Sequence, residues 1–190
     1  MGEATTFTAA VLTGGRSRRM GRDKAFVTID GEPMVRRVVR ALRAAGAVEV
    51  VAVGGDEAGL LAEDLDRFLP DLHPGDGPLG GVLVALSAAP VSIVVVVACD
   101  MPDLTAAAVQ AVVAALVADP SSVVAVAQPL CAAWRPALAV ATLRPAFAAG
   151  ERTLAAAIDL LPHVAVLVDP AALRNVNRPG DLTPPIDWKP

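Results

Sequence analysis

Residues 7–24 read Phe7-Thr8-Ala9-Ala10-Val11-Leu12-Thr13-Gly14-Gly15-Arg16-Ser17-Arg18-Arg19-Met20-Gly21-Arg22-Asp23-Lys24. The apolar run from Phe7 to Leu12 stops at two glycines, which predicts a buried strand entering a loop. Two later runs behave alike: Val48 to Val53 ends at Gly54-Gly55, and Ser92 to Ala98, β-branched and apolar on both faces, ends at Cys99-Asp100. Such two-sided apolar strands belong to the middle of a parallel sheet.

The intervening segments carry helical spacing. Pro33 opens a helix through Met34, Val35, Val38, Val39 and Leu42 to a stop at Gly46, after a turn at Asp30-Gly31. Ala25 to Ile29 reads as extended, Glu57 to Phe68 as a helix, and Pro70 to Pro78 as a turn-rich loop. Helices are expected over Leu79–Ala88, Leu104–Ala118, Ala139–Ala148 and Thr153–Leu161. Strands are expected over Val123–Val126, Cys131–Trp134 and Val164–Val168. Alternation of this kind predicts an α/β, Rossmann-like three-layer fold with a mostly parallel central sheet. We expect one domain over residues 1–190, in two parts of about 1–103 and about 104–190.

Composition sets limits on function. The chain has 190 residues, 54% hydrophobic and 19% charged, with net charge −4, aromatics at 3% and no tyrosine, so the core must be aliphatic. Mild acidity argues against a whole-chain grip on nucleic acid or on an anionic membrane. Val82 to Cys99 approaches a membrane span in length, but Pro90 divides it and both halves fit a helix followed by a strand. Cys99 and Cys131 have no metal-ligand spacing and predict no disulfide framework. With no basic-then-apolar leader in Met1 to Ala10, a reducing cytoplasm is the expected setting.

In a parallel sheet, ligands bind beyond the carboxyl ends of the strands. Three such ends carry polar chemistry. The first loop holds five of the sixteen basic residues within nine positions, beside glycines that let backbone N–H groups approach a phosphate. Arg and Lys there would neutralise polyphosphate charge. A Walker A loop and a Gly-x-Gly-x-x-Gly fingerprint are both absent, which disfavours an ATPase and a nicotinamide dehydrogenase. Asp100, at the end of the strongest strand, suits Mg²⁺, which takes one or two carboxylates plus phosphate oxygens. The plainer alternative is a helix cap, a role for which Asp103 is better placed. The turn-rich segment Asp71 to Gly81 offers small residues on which a flat base could lie, and Asn175-Val176-Asn177 sets two amides on one face of an extended stretch. His73 and His163 stand in unrelated contexts, and neither a nucleophile triad nor a zinc cluster is legible. A reaction needing only positioning, cations and Mg²⁺ fits this inventory, and nucleotidyl transfer is of that kind.

The ensemble resembles the molybdenum cofactor guanylyltransferase family. Its opening signature, Leu-Ala-Gly-Gly-x-Ser-x-Arg-Met-Gly-x-Asp-Lys, stands here as Leu12 to Lys24 with Thr13 in place of Ala. Its Gly-Pro-Leu matches Gly77-Pro78-Leu79, its Cys-Asp-Met-Pro matches Cys99 to Pro102, its Gly-Glu-Arg matches Gly150 to Arg152, and its Asn-x-Asn matches Asn175 to Asn177. The resemblance implies transfer of GMP from GTP to molybdopterin with release of pyrophosphate. It implies that Leu12, Thr13, Gly14 and Gly15 line the nucleotide pocket with Gly54, Gly77 and Pro78, and that Asp71 reads guanine. Lys24 and Arg19 would hold phosphate, and Asp100 would hold Mg²⁺. Asn175 and Asn177 would lie near the acceptor or the metal, and other cofactor-biosynthesis proteins would be passing partners. Where relatives carry a longer polar turn toward the pterin, this chain has only Ala127 to Leu130. The competing readings are a relative using CTP or another phosphorylated acceptor, and a nucleotide-binding homologue without catalysis.

Overall fold

The computed structural model describes residues 5–14, 24–177 and 179–181. One seven-stranded sheet organises them: β1 (Phe7–Leu12), β4 (Ala47–Val53), β5 (Arg67–Leu69), β6 (Val94–Ala98), β7 (Val124–Gln128), β8 (Cys131–Trp134) and β9 (His163–Ala165), in the spatial order β5-β4-β1-β6-β8-β7-β9. Every neighbouring pair runs parallel except the two made by β8, which is reversed between β6 and β7. A short hairpin, β2 (Thr28–Ile29) with β3 (Glu32–Pro33), stands apart. Its turn places Asp30 at φ 51° and Gly31 at φ 80°, the left-handed pair that a tight hairpin needs.

Strand pleating divides the core in two. Ala9, Val11, Val50, Ala52, Val95 and Val97 face one side, where α1 (Met34–Ala44) and α4 (Ala106–Ala118) cover them. Their alternates, Ala10, Leu12, Val51, Val53, Val94 and Val96, face α3 (Pro78–Ala88), α5 (Pro136–Ala148) and α6 (Leu154–Asp159). The expected three-layer fold is therefore present. The long apolar run becomes α3 followed by β6, and no helix among the described residues is long and apolar enough to cross a membrane.

Three local expectations are corrected. The segment Glu57 to Phe68 is not one helix: α2 (Glu57–Leu61) is a single short stretch capped by Asp56, and β5 follows. The outer edge of β4 decides this, because its backbone groups need partners. Asp66 meets that need twice, its amide donating to the Val50 carbonyl and its Oδ2 accepting from the Val50 amide at 2.6 Å, while Asp64 at φ 66° turns the chain. Residues 25–29 begin as a 3-10 turn (Lys24–Phe26) rather than fully extended. Finally, α4 is capped by Thr105, whose hydroxyl accepts from the Ala108 amide at 3.2 Å, and Asp103 pairs instead with Arg174 at 2.6 Å.

Candidate nucleotidyl-transfer site

Because β1, β4 and β6 are parallel neighbours, their carboxyl ends deliver Thr13, Gly54 and Asp100 to one edge of the sheet. The Leu12 carbonyl accepts from the Cys99 amide at 3.2 Å, so the first loop leaves the sheet alongside the turn that bears Asp100. The same carboxyl edge also receives Lys24. Its Nζ stands 2.5 Å from Asp100 Oδ2 and 2.8 Å from Asn177 Oδ1. Both members of the ion pair are largely shielded, with side chains 13% and 17% exposed, so their attraction is screened less than that of a surface pair.

A small apolar cluster brings residues 175–177 to this place. Val176, Val27 and Met34 are buried together, and the Val176 amide donates to the Asp100 carbonyl at 2.8 Å. With Val176 turned inward, its two neighbours are left facing outward. Asn177 meets Lys24, and Asn175 Oδ1 lies 3.4 Å from Gln128 Nε2, which is also 2.8 Å from Met101 Sδ. Sequence reasoning missed Gln128. The signal was its place beside the shortened turn, now resolved as a bend at Pro129 and Leu130 between β7 and β8.

On the other side of β1 lies a cavity of about 190 Å³ lined by Leu12, Gly14, Val53, Asp71, Gly77, Pro78 and Gly81. It falls below the roughly 300–1,000 Å³ of whole small-molecule sites and matches a compartment for one flat group. Missing side chains create it. A Cβ on Gly14 would lie 3.4 Å from Asp71 Oδ2, and one on Gly81 would lie 3.4 Å from Leu12. Gly54, at φ 73°, supplies the crossing of the two loops, since a Cβ there would stand 2.9 Å from the Gly14 Cα. Asp71 Oδ1 accepts from the His73 amide at 2.9 Å, which fixes the carboxylate at the wall. Thr13 lies beside this cavity without lining it. Its buried hydroxyl stands 2.5 Å from the Gly54 carbonyl oxygen and ties the two strand-end loops together. Gly15 and Arg19 lie outside the described residues.

A family model for a MobA-like NTP transferase domain matches residues 9–170 of this chain.

The chain belongs to the MobA-like NTP transferase family.

It is similar to a protein named "Probable molybdenum cofactor guanylyltransferase" from Pelotomaculum thermopropionicum, with 47% identity over 95 residues, which cover 50% of this chain and 45% of that one. The matched stretch thus spans about half the length of that relative and of several like it. A molybdenum cofactor guanylyltransferase from Pseudomonas putida is 35% identical, with 90% of this chain and 93% of that protein aligned. Among solved structures, the molybdopterin-guanine dinucleotide biosynthesis protein A of Archaeoglobus fulgidus superposes with a TM-score of 0.73 at 26% identity, covering 92% of this chain and 94% of that one. In this MobA-like NTP transferase domain the ion pair and the cavity share one carboxyl edge of the sheet.

Two observations test whether a divalent ion suits this MobA-like site. Asp100 Oδ1 is buried and has no hydrogen-bond partner among the described residues, so one hard oxygen remains available beside the oxygen held by Lys24. Among the described residues, no three His, Cys, Asp or Glu side chains converge, so Asp100 stands as a single carboxylate of the kind Mg²⁺ shares with phosphate oxygens. The donor set fits Mg²⁺.

Proposed function

We propose that this chain transfers GMP from GTP to the phosphate of molybdopterin and releases pyrophosphate. The ion pair between Lys24 and Asp100, standing between the first loop and the strongest strand, is the observation that carries this reading. An acceptor phosphate oxygen attacks the α-phosphorus and forms the new P–O bond. The bond from the α-phosphorus to its bridging oxygen breaks, and its electron pair leaves with pyrophosphate. The attacking oxygen is already anionic near neutral pH, so the site needs no strong base. Neither histidine touches the Lys24–Asp100 pair or lines the cavity, which agrees with that economy.

Each residue has a part. The cavity receives the base, with Asp71 accepting from the adjacent N–H groups on the edge of guanine. Cytosine offers acceptors on the corresponding edge and would leave the carboxylate facing lone pairs, so Asp71 favours GTP over CTP. Lys24 exchanges Asp100 and Asn177 for phosphate oxygens and holds the triphosphate, with Arg19 assisting from the same loop. Asp100 would hold Mg²⁺, which neutralises the charge of the phosphates when bound. Asn175, Asn177 and Gln128 flank the edge on the side away from the base cavity and orient the acceptor. Residues up to about 103 thus serve the nucleotide, and those beyond serve chiefly the acceptor.

The test is direct. Purified protein with Mg²⁺, molybdopterin and either GTP or CTP is assayed for pyrophosphate and, by mass spectrometry, for the dinucleotide. Guanine dinucleotide formed with GTP alone supports the reading. A preference for CTP, or no acceptor-dependent pyrophosphate, overturns it.

A further inference from the structure

Asp71 lies just beyond β5, a three-residue edge strand that can do little to hold the loop after it. The loop carries two left-handed glycines, Gly75 at φ 92° and Gly77 at φ 80°, and such a segment has many conformations unless something restrains it. The restraint comes from the corner that closes α5, much later in the chain.

His73 is the point of attachment. Its amide donates to Asp71 Oδ1 at 2.9 Å, and its carbonyl accepts from the Asp76 amide at 3.1 Å. Its Cβ lies so near α3 that a Cβ on Gly80 would come within 2.7 Å. The imidazole rests on Phe147 with ring centroids 4.6 Å apart and planes inclined by 58°. The guanidinium of Arg152 lies over the same phenyl ring, 4.1 Å from its centroid. Arg152 Nη1 also donates to the Phe147 carbonyl at 2.6 Å and to the Glu151 carbonyl at 2.8 Å, which closes the corner on itself. The corner touches the loop again at its far end, where a Cβ on Gly77 would stand 3.0 Å from the Arg152 carbonyl oxygen and where Arg152 Nε is 3.9 Å from Asp76 Oδ1. Neither Phe147 nor Arg152 lines the cavity, so neither touches the base.

We infer that Arg152, acting through Phe147 and His73, is a positioning residue for base recognition: it holds the Asp71 carboxylate at the cavity wall and thereby sets the preference for a purine with two adjacent N–H donors over one with a single donor. The inference rests on reading the cavity as the guanine compartment. A carboxylate discriminates between such bases only while its oxygens are held in place, because a mobile one re-aims at whichever donor remains. The Gly150 to Arg152 segment, which the acceptor half of the chain contains, therefore serves the nucleotide.

GTP and ITP differ in that second donor. Their binding with Mg²⁺ is measured calorimetrically for the wild type, Arg152→Met, Arg152→Lys and Phe147→Leu, together with turnover at saturating GTP. We expect Arg152→Met and Phe147→Leu to bind GTP about tenfold more weakly and ITP almost as before, with turnover unchanged. Arg152→Lys, which keeps a cation over the ring, recovers part of the preference. The Arg152 side chain is 41% exposed, so its variants stay folded even where Phe147→Leu does not. Equal losses for both nucleotides reduce Arg152 to a structural part and overturn the inference. So does an unchanged preference in Arg152→Met beside a discriminating wild type. A wild type that binds GTP and ITP alike overturns the guanine reading, and this inference with it.

Discussion

Lys24 Nζ and Asp100 Oδ2 lie 2.5 Å apart although one follows the first loop and the other ends the fourth parallel strand of the nucleotide half. Among the described residues each is the other's ion-pair partner, and each has a second tie to the segment 175–177, Lys24 through the Asn177 side chain and Asp100 through its backbone carbonyl, which accepts from the Val176 amide. Two charges that neutralise one another in this way, both assigned to ligand binding in the proposed function, should leave separable traces in stability and in turnover.

Lys24→Met leaves a shielded carboxylate without its cation and should destabilise the protein by about 1–3 kcal/mol. The double variant Lys24→Met/Asp100→Asn removes both charges and should melt higher than Lys24→Met alone. Thermal unfolding of the wild type and these two variants checks this; a double variant that melts no higher than Lys24→Met contradicts the pairing. In turnover the order differs. Asp100→Asn should keep the fold and lose on the order of 10²–10³ in kcat with Mg²⁺.

Asp71→Asn keeps the contact with the His73 amide but puts an N–H group where the base presents its own. GTP affinity should fall about tenfold or more, from about 1–3 kcal/mol of lost and opposed hydrogen bonding, with little change for CTP. Isothermal titration of both nucleotides separates this outcome from a general collapse of the site, in which both affinities would drop together.

Gly54→Ala meets two costs at once, a left-handed φ of 73° and a Cβ that would stand 2.9 Å from the Gly14 Cα. We expect a loss of about 2–4 kcal/mol in stability and weakened GTP binding. Gly31→Ala is the control, since its φ of 80° is as strained but nothing lies within 4 Å of the added carbon. That variant should lose only about 1–2 kcal/mol and bind GTP normally. Equal behaviour of the two would show that crowding between the strand-end loops is unimportant.

Cys131 is wholly buried on β8, and desolvation pushes its thiol up from 9.0 to about 11. In the unfolded chain the thiol ionises near pH 9, whereas the folded protein keeps the proton until about pH 11. Between those values the folded state holds more protons, so stability falls as pH rises, by up to about 3 kcal/mol from this residue. Urea unfolding at pH 8 and pH 10.5 should show a smaller decline in Cys131→Ala than in the wild type.

Much of the site was legible because strand ends are easy to find. The apolar runs ending at Leu12, Val53 and Ala98 marked where polar residues would gather, and the parallel sheet brought those ends together. Leu12 and Gly14 line one cavity for that reason, and Asp71, Gly77 and Pro78, legible from the turn-rich segment and the family resemblance, line it from the opposite loop. Segments whose state depends on a distant neighbour were harder. Arg67 to Leu69 has the composition of a helix end, yet the open edge of β4 claims it as a strand. Asp103 looked like a cap until Arg174, far along the chain, took its carboxylate. The contact of Phe147 and Arg152 with the loop that follows Asp71 leaves no periodic trace at all, because it depends on how α5 packs beside α3.

The reversed strand gives the architecture a hinge point for diversification. Four ladder pairs, from Val94 with Trp134 to Val97 with Cys131, lock β8 to the central strand, so the bend at Pro129 and Leu130 can lengthen outward without shifting the register beneath it. That bend projects from the rim that holds Gln128, remote from the compartment walled by Asp71. It is a grafting point: under the proposed function, longer segments spliced there would change which acceptor is admitted while the residues assigned to the triphosphate stay as they are.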